Sequence, residues 1–278
     1  MTVTARRVLA NVRAAHGALS PALARIAEAV LDNPDRLLTQ TVTELAETAG
    51  SSDASVIRFC RDQGFASFQA FKLALATELA TAAPPVPGDG QSGHGGGIVE
   101  RAVTALRETQ DLLDLAAVTV VVKRLLAARR ILVFGVGASA ITAHYLQYKL
   151  ARLGLSAVAH QDPHMAAMAA VALTADDVVI AVSSSGSTFD AVRAAERAHE
   201  AGAFLVAITN RSRSPLTVFA DIVLLAASAE TPLTGGAFAS KISQFLIADI
   251  LFETLAGTHE PARRAIAATA ESVSDRGY

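Results

Sequence analysis

Cysteine is all but missing from this chain. Cys60 is the only one in 278 residues, which excludes an intrachain disulfide and a cysteine-rich metal site. Tryptophan is absent, and alanine supplies much of the hydrophobic half of the composition. Long apolar runs are lacking as well, since Ala116–Val122 and Ile131–Val136 are too short to span a bilayer. The N-terminus meets Asn11, Arg13 and His16 before any signal-type apolar core develops. An excess of one charge is missing too: the chain carries a net −2, and between Met1 and Ala83 eight Arg and Lys residues balance eight Asp and Glu. Composition therefore announces no basic patch. These absences together lead to the expectation of a cytoplasmic protein with no membrane partner, no metal and no cofactor.

Proline and glycine are concentrated in one stretch. Ala82-Ala-Pro-Pro-Val-Pro-Gly-Asp-Gly-Gln-Ser-Gly-His-Gly-Gly-Gly97 cannot bury a core and reads as a linker. It divides the chain into a helical domain over 1–81, a linker over 82–97 and a larger domain over 98–278. In the larger domain, Ile98 to about Ala128 reads as a helical lead-in. Short apolar runs follow at Ile131–Phe134, Ala157–Ala159, Val178–Ser183, Phe204–Thr209 and Ile222–Leu225, alternating with helical patterns. The fold class expected is α/β: a small all-α domain, then a flavodoxin-like parallel sheet of about five strands.

Two loops of this sheet carry chemistry. Val182-Ser-Ser-Ser-Gly-Ser-Thr188 lies between a β-branched run and the helical pattern Phe189–Glu200. A strand that turns through hydroxyls and glycine into a helix N-terminus suits an anion, because the first helical N–H groups are unpaired and the helix dipole favours negative charge. Ser183, Ser184, Ser185, Ser187 and Thr188 add hydroxyls, and Gly186 permits close approach of the backbone. The second loop, Gly135-Val-Gly-Ala-Ser139, follows Arg130–Phe134 and contributes Gly135, Gly137 and Ser139. It is not a dinucleotide fingerprint: Ala140 takes the place of the third glycine, and no acidic residue ends the next strand. An ordinary Ser/Gly turn is the bland alternative for the first loop, and the second loop weighs against it.

The paired loops resemble the sugar isomerase (SIS) domain, a phosphosugar-binding α/β module, over roughly Ile98 to Glu260. The resemblance implies that Ser139, Ser183, Ser185 and Thr188 hold the phosphate of a sugar phosphate or phosphorylated acid. Ser240-Lys-Ile-Ser-Gln244 is similar to a segment that in related regulators reads Ser-Arg-Ile-x-Gln, so Lys241 stands where an arginine is usual. A lysine is a point charge without the bidentate fork. At the rim, His164, Glu230 and Thr234 are weaker candidates; a lone loop histidine is more often a surface residue.

In the N-terminal part, Thr41-Val-Thr-Glu44 has the form of a capping box opening a helix over Val42–Ala49, which Gly50 ends. Ser52 then caps a helix from Asp53 to about Gln63. Helix, short turn, helix is the helix-turn-helix arrangement. Leu45, Ala46, Val56, Phe59 and Cys60 are expected inside, which leaves Ser52, Asp53, Ser55 and Arg58 for a DNA major groove and Arg61 and Lys72 for phosphates. A purely dimerising helical arm is the alternative. Leu19–Glu28, Thr43–Ala46, Ser55–Cys60 and Gly64-Phe-x-Ser-Phe-x-x-Phe-Lys72 resemble the RpiR-type DNA-binding domain, which implies operator DNA as partner.

Two functions compete. One is a transcription regulator whose α/β domain senses a phosphorylated sugar metabolite. The other is a phosphosugar isomerase with a helical extension, which needs a positioned base that the motifs do not display and has no use for a helix-turn-helix. The regulator is preferred, as a homodimer or homotetramer, since one helix-turn-helix reads only a short half-site. The helices over Ala237–Ala256 and Ile98–Leu115 are the expected self-association surfaces. A glycine-rich tether transmits little orientation, so the N-terminal domain should pack on the α/β domain or swap onto a partner chain.

Overall fold

The computed structural model describes residues 7–82, 96–228, 230–233, 236, 238–272 and 274. Among the described residues the N-terminal domain has six α-helices: α1 (Val8–Ala15), α2 (Pro21–Asp32), α3 (Pro34–Thr39), α4 (Val42–Thr48), α5 (Asp53–Asp62) and α6 (Phe68–Ala82). Prolines at the first positions of α2 and α3 lack the N–H that a helix start leaves unpaired anyway. The capping box of α4 forms as the sequence predicts. Glu44 N–H donates to Thr41 Oγ1 at 3.1 Å, and Thr41 N–H donates to Glu44 Oε2 at 2.7 Å. Leu45, Ala46, Val56, Phe59 and Cys60 all point inward, with Ile26, Val30, Leu37, Phe71 and Leu75 completing the core. Phe59 and Phe71 meet edge to face at 5.7 Å. Each fully buried side chain of this size contributes about 1.5–3 kcal/mol. Burial pushes the Cys60 thiol up to about 12, so it stays a neutral filler.

Most of the expected linker, residues 83–95, lies outside the described residues. Its limits are corrected at both ends: α6 continues through Ala82, and α7 (Gly96–Leu112) already includes Gly96 and Gly97. After α8 (Leu115–Ala127) come β1 (Ile131–Gly135), α9 (Ala138–Arg152), β2 (Ala157–His160), α10 (Pro163–Val171), β3 (Val178–Val182) and α11 (Phe189–Glu200). The chain continues through β4 (Phe204–Thr209), β5 (Ile222–Leu225), α12 (Phe238–Thr258) and α13 (Glu260–Glu271). The strands form one parallel sheet in the order β2-β1-β3-β4-β5, the flavodoxin-like winding.

Strand alternation sorts the apolar residues onto two faces. Ile131, Val133, Val178, Ile180, Val206 and Ile208 face α8, α9 and α12. Leu132, Val179, Ala181, Leu205 and Ala207 face Ala170 of α10 and Ala195 and Ala198 of α11, where small side chains bring the helices close. With both faces covered, β1 and β3 are buried at every position, which accounts for their unbroken apolar runs.

The helix α12 departs from expectation. Much of it, including Ile247, Leu251 and Leu255, is buried within its own chain against the sheet and neighbouring helices. It serves as a central strut, and its apolar length is spent inside the fold. By contrast α7 keeps Ile98, Val99, Val103 and Leu112 exposed. The two domains touch directly. Thr41 Oγ1 donates to the Arg213 carbonyl at 3.0 Å, and the Arg213 guanidinium meets Glu47 at 2.5 Å. The tether is therefore not the only connection between them.

Candidate functional site

Strand order reverses between β1 and β3, and the loops that leave the carboxyl ends of these strands form the crevice there. Gly135 is needed for the first turn, because a Cβ on it would sit 2.6 Å from the Ser139 carbonyl oxygen. Gly137 precedes α9 at φ +59°, in the left-handed region that favours glycine. Gly186 has φ +60°, and a Cβ on it would lie 2.1 Å from Ser214 Oγ, so the second loop closes only over a bare backbone. Leu216 N–H donates to the Gly186 carbonyl at 2.9 Å and holds that turn in place.

The hydroxyls of the second loop divide into two sets. Ser185, Ser187 and Thr188, with Ser139 from the first loop, line a cleft of about 660 Å³. Ser183 does not. Its side chain is buried and reaches only to Thr188 Oγ1, at 3.5 Å, so it supports the loop from beneath. Ser184 borders the cleft, but its Oγ belongs to a buried network. Lys241 Nζ donates to it at 2.8 Å, Gln244 Nε2 donates at 3.0 Å, and Ser240 Oγ lies 3.2 Å away. Gln244 Oε1 accepts from Lys241 and from Thr142 Oγ1, and Asn210 bonds both Gln244 and Ser240. Buried polar groups are stable in this way only when nearly every partner is present. Lys241 thus braces the loop while its ammonium borders the cleft, and burial pushes its pKa down, with Glu230 opposing.

The opposite wall comes from the other domain. Gln40, Thr41, Ser67, Gln69 and Lys72 line the same cleft, together with Arg211 and Glu230. Sequence reasoning placed Lys72 on the DNA face, and that is corrected here. Lys72 is 6% exposed, and its ammonium donates to the Gln40 carbonyl at 2.7 Å. It lies on the inner side of α6, one position after the core residue Phe71 and one turn from Phe68, so helical periodicity carries it toward the α/β domain. Burial lowers its pKa to about 8, and the nearby charge of Arg211 adds to the effect while Glu44 opposes it. Arg211 is likewise depressed, mainly by burial. Gln40, Ser67, Gln69 and Arg211 were missed. No local motif marks them: docking of α3, α4 and α6 brings Gln40, Ser67 and Gln69 to the loops, and Arg211 reaches the cleft from the turn after β4. Among the rim candidates, Glu230 lines the cleft, His164 is exposed and away from it, and Thr234 lies outside the described residues. Among the described residues no cluster of His, Cys, Asp and Glu has the form of a metal site.

On α5, Ser52 caps the helix by accepting from Ser55 N–H at 3.3 Å, and the two hydroxyls lie 3.0 Å apart. Ser52, Arg58 and Arg61 are exposed and Ser55 is half-buried. Asp53 is partly withdrawn: its Oδ2 accepts from Thr43 Oγ1 at 2.8 Å, so it ties α5 to α4. The turn between these helices is held from behind by Arg25, whose Nε and Nη2 donate to the carbonyls of Ala49 and Gly50 at 2.9 and 2.8 Å. Among the described residues no helix is long and apolar enough to cross a membrane.

Comparisons with known proteins agree with this division. The helix-turn-helix domain of the rpiR family matches residues 6–82, and the SIS domain matches 124–254. An uncharacterized HTH-type transcriptional regulator of Caldanaerobacter subterraneus is 35% identical over 250 residues, covering 88% of this chain and 89% of that protein. A second, from Haemophilus influenzae, is 34% identical over 257 residues, covering 89% of both. The solved structure of the Vibrio vulnificus NanR protein complexed with ManNAc-6P superposes with a TM-score of 0.91 at 34% identity, over 98% of this chain and all of that one. An isomerase with a helical extension gives no account of these full-length likenesses to regulators. The chain belongs to the RpiR family of helix-turn-helix transcriptional regulators, with a SIS domain as its α/β half and no enzymatic role.

Proposed function

We propose that this regulator senses a phosphorylated sugar or sugar acid through its SIS domain and couples that binding to operator DNA held by α5. The observation that carries the proposal is the hydroxyl-lined cleft at the switch between β1 and β3, closed on its far side by the DNA-binding domain. Ser139, Ser185 and Thr188 are the phosphate ligands in this reading, with Lys241 supplying charge from below. Gly135, Gly137 and Gly186 shape the two loops, and Ser183 and Ser184 support them. NanR in complex with ManNAc-6P is the precedent for a phosphosugar in a protein of this architecture. On the DNA side, Ser52, Ser55 and Arg58 face the groove and Arg61 contacts a phosphate. The neutral helical domain implies a modest salt dependence, because few phosphates are neutralised. A symmetric dimer places two such helices on a near-palindrome, and the exposed apolar residues of α7 are suited to forming it.

The test is a titration of operator affinity with ManNAc-6P and other hexose 6-phosphates, on DNA upstream of the regulator's own gene. A saturable change of about 5–150-fold in operator affinity is expected, the usual range for coupled sites. No change at saturating ligand defeats the sensor, and turnover of the sugar phosphate would return the chain to the isomerases.

A further inference from the structure

One face of the cleft has no explanation in phosphate binding. Lys72 is buried, with a single hydrogen bond among the described residues, to the Gln40 carbonyl, and the Phe68 ring 5.4 Å from its Nζ. No carboxylate lies within ion-pair distance of it among the described residues. An ammonium has three N–H donors, and burying it without a counter-charge is costly unless something in the cleft completes its bonding. Glu230, on the α/β side of the cleft, has an Oε1 that is shut off from solvent and has no hydrogen-bond partner among the described residues. Unmet donors on one side and an unmet acceptor on the other fit a ligand that both accepts and donates, as the hydroxyls of a sugar do. Gln69, exposed at the cleft mouth, adds an amide with both capacities.

The position of these groups matters as much as their chemistry. Gln40 immediately precedes Thr41, the N-cap of α4, and α4 is the first helix of the helix-turn-helix. Thr41 in turn donates to the Arg213 carbonyl of the α/β domain. A ligand touching Lys72 and Gln69 therefore bears on the base of the DNA-reading unit, with no need of the linker.

Resting on the phosphosugar reading above, we infer that the effector is gripped from both domains: the hydroxyl loops take its phosphate, while Lys72 and Gln69 of the helical domain, with Glu230 opposite, take the hydroxyls of its sugar. The helical domain is then the wall that selects the sugar, and ligand affinity depends on how that domain is docked. That dependence is the differential contact a ligand needs to shift one arrangement of the two domains against another.

Calorimetry on the full chain tests this. ManNAc-6P, glucosamine 6-phosphate and 6-phosphogluconate are titrated first, and whichever gives the tightest saturable binding becomes the probe, with inorganic phosphate as control. Lys72→Met is expected to weaken the sugar phosphate by about 10-fold or more, the loss of roughly one hydrogen bond from a charged group, and Gln69→Ala by about 3-fold or more, the loss of a neutral one. Binding of inorganic phosphate should stay within about 2-fold of wild type. Ser185→Ala combined with Thr188→Val should weaken both. Gln69 is exposed, so its truncation keeps the test open even if Lys72→Met disturbs folding. If both helical-domain variants bind the sugar phosphate like wild type while the loop variant loses it, the two-domain grip is overturned and the phosphate site stands. If no probe binds, or the loop variant binds all of them unchanged, the phosphosugar reading falls and the grip falls with it.

Discussion

On α5 the side chains proposed to meet DNA stand apart from one another: Ser52, Arg58 and Arg61 project into solvent, and the helix beneath them is held by apolar packing of Val56, Phe59 and Cys60. In the crevice the opposite holds. Ser184, Ser240, Lys241 and Gln244 are buried and bonded to one another, and Ser185 and Thr188 sit on top of that network. A surface reader can lose one side chain and keep its shape, since water replaces what was removed. A crevice built on a buried polar network cannot, because each removal leaves a desolvated partner without its bond. The DNA face should accordingly respond to substitution one contact at a time, and the ligand site as a unit.

The largest effect expected is at the crevice. Ser185→Ala with Thr188→Val should cost about 3 kcal/mol or more of binding to a phosphorylated sugar, from bonds worth about 1.5–3 kcal/mol each. The unphosphorylated sugar should bind as weakly as it does to wild type, and equal losses for both in calorimetry would remove the phosphate assignment. Next is Gly186→Ala. It places a Cβ against Ser214 and a side chain at φ +60°, so chemical denaturation should show a loss of about 2 kcal/mol or more. A neutral result would mean that the loop relaxes freely, which would break the contrast with α5.

Lys72 offers a sharper probe, because it stands between the two regions. Its pKa is about 8 in the folded chain against 10.5 as the reference, so between these values the folded chain holds fewer protons than the unfolded one. Its contribution to stability therefore rises with pH through that window and is least favourable at neutral pH. Lys72→Met removes the slope. Its stability relative to wild type should fall by on the order of 2 kcal/mol between pH 7 and pH 10.5. A constant difference across that range would show Lys72 to be solvated. The smallest effect expected is Arg58→Ala, at about 1–3 kcal/mol of operator binding with specificity relaxed at one base pair. A uniform loss on every DNA sequence would demote Arg58 to a backbone contact, while stability in denaturant should hardly move.

Much of the fold was legible in the chain. The five strands were each readable as short apolar runs, and α11 begins and ends at the residues where its periodicity does. The capping box at Thr41 and the N-cap at Ser52 were legible because caps are local, set by one side chain and a backbone N–H a few residues on. The two loops were legible for the same reason. The other half of the cleft was not. Gln40, Ser67, Gln69 and Arg211 carry no motif, and Lys72 was misplaced because a lysine near a helix-turn-helix looks the same in sequence whether it faces DNA or the neighbouring domain.

By itself, then, the sequence determined the elements, their alternation and the two hydroxyl loops. All of these follow from short-range periodicity, caps and turn chemistry. Only the tertiary structure decided that the cleft has two walls from different domains, that Ser183 and Ser184 hold up the loop while Ser185 and Thr188 line the cleft, and that Lys72 is buried. Those outcomes depend on docking across more than a hundred residues of chain, as between Thr41 and Arg213. Docking of that kind is set by the fit of whole surfaces, and no local pattern records it.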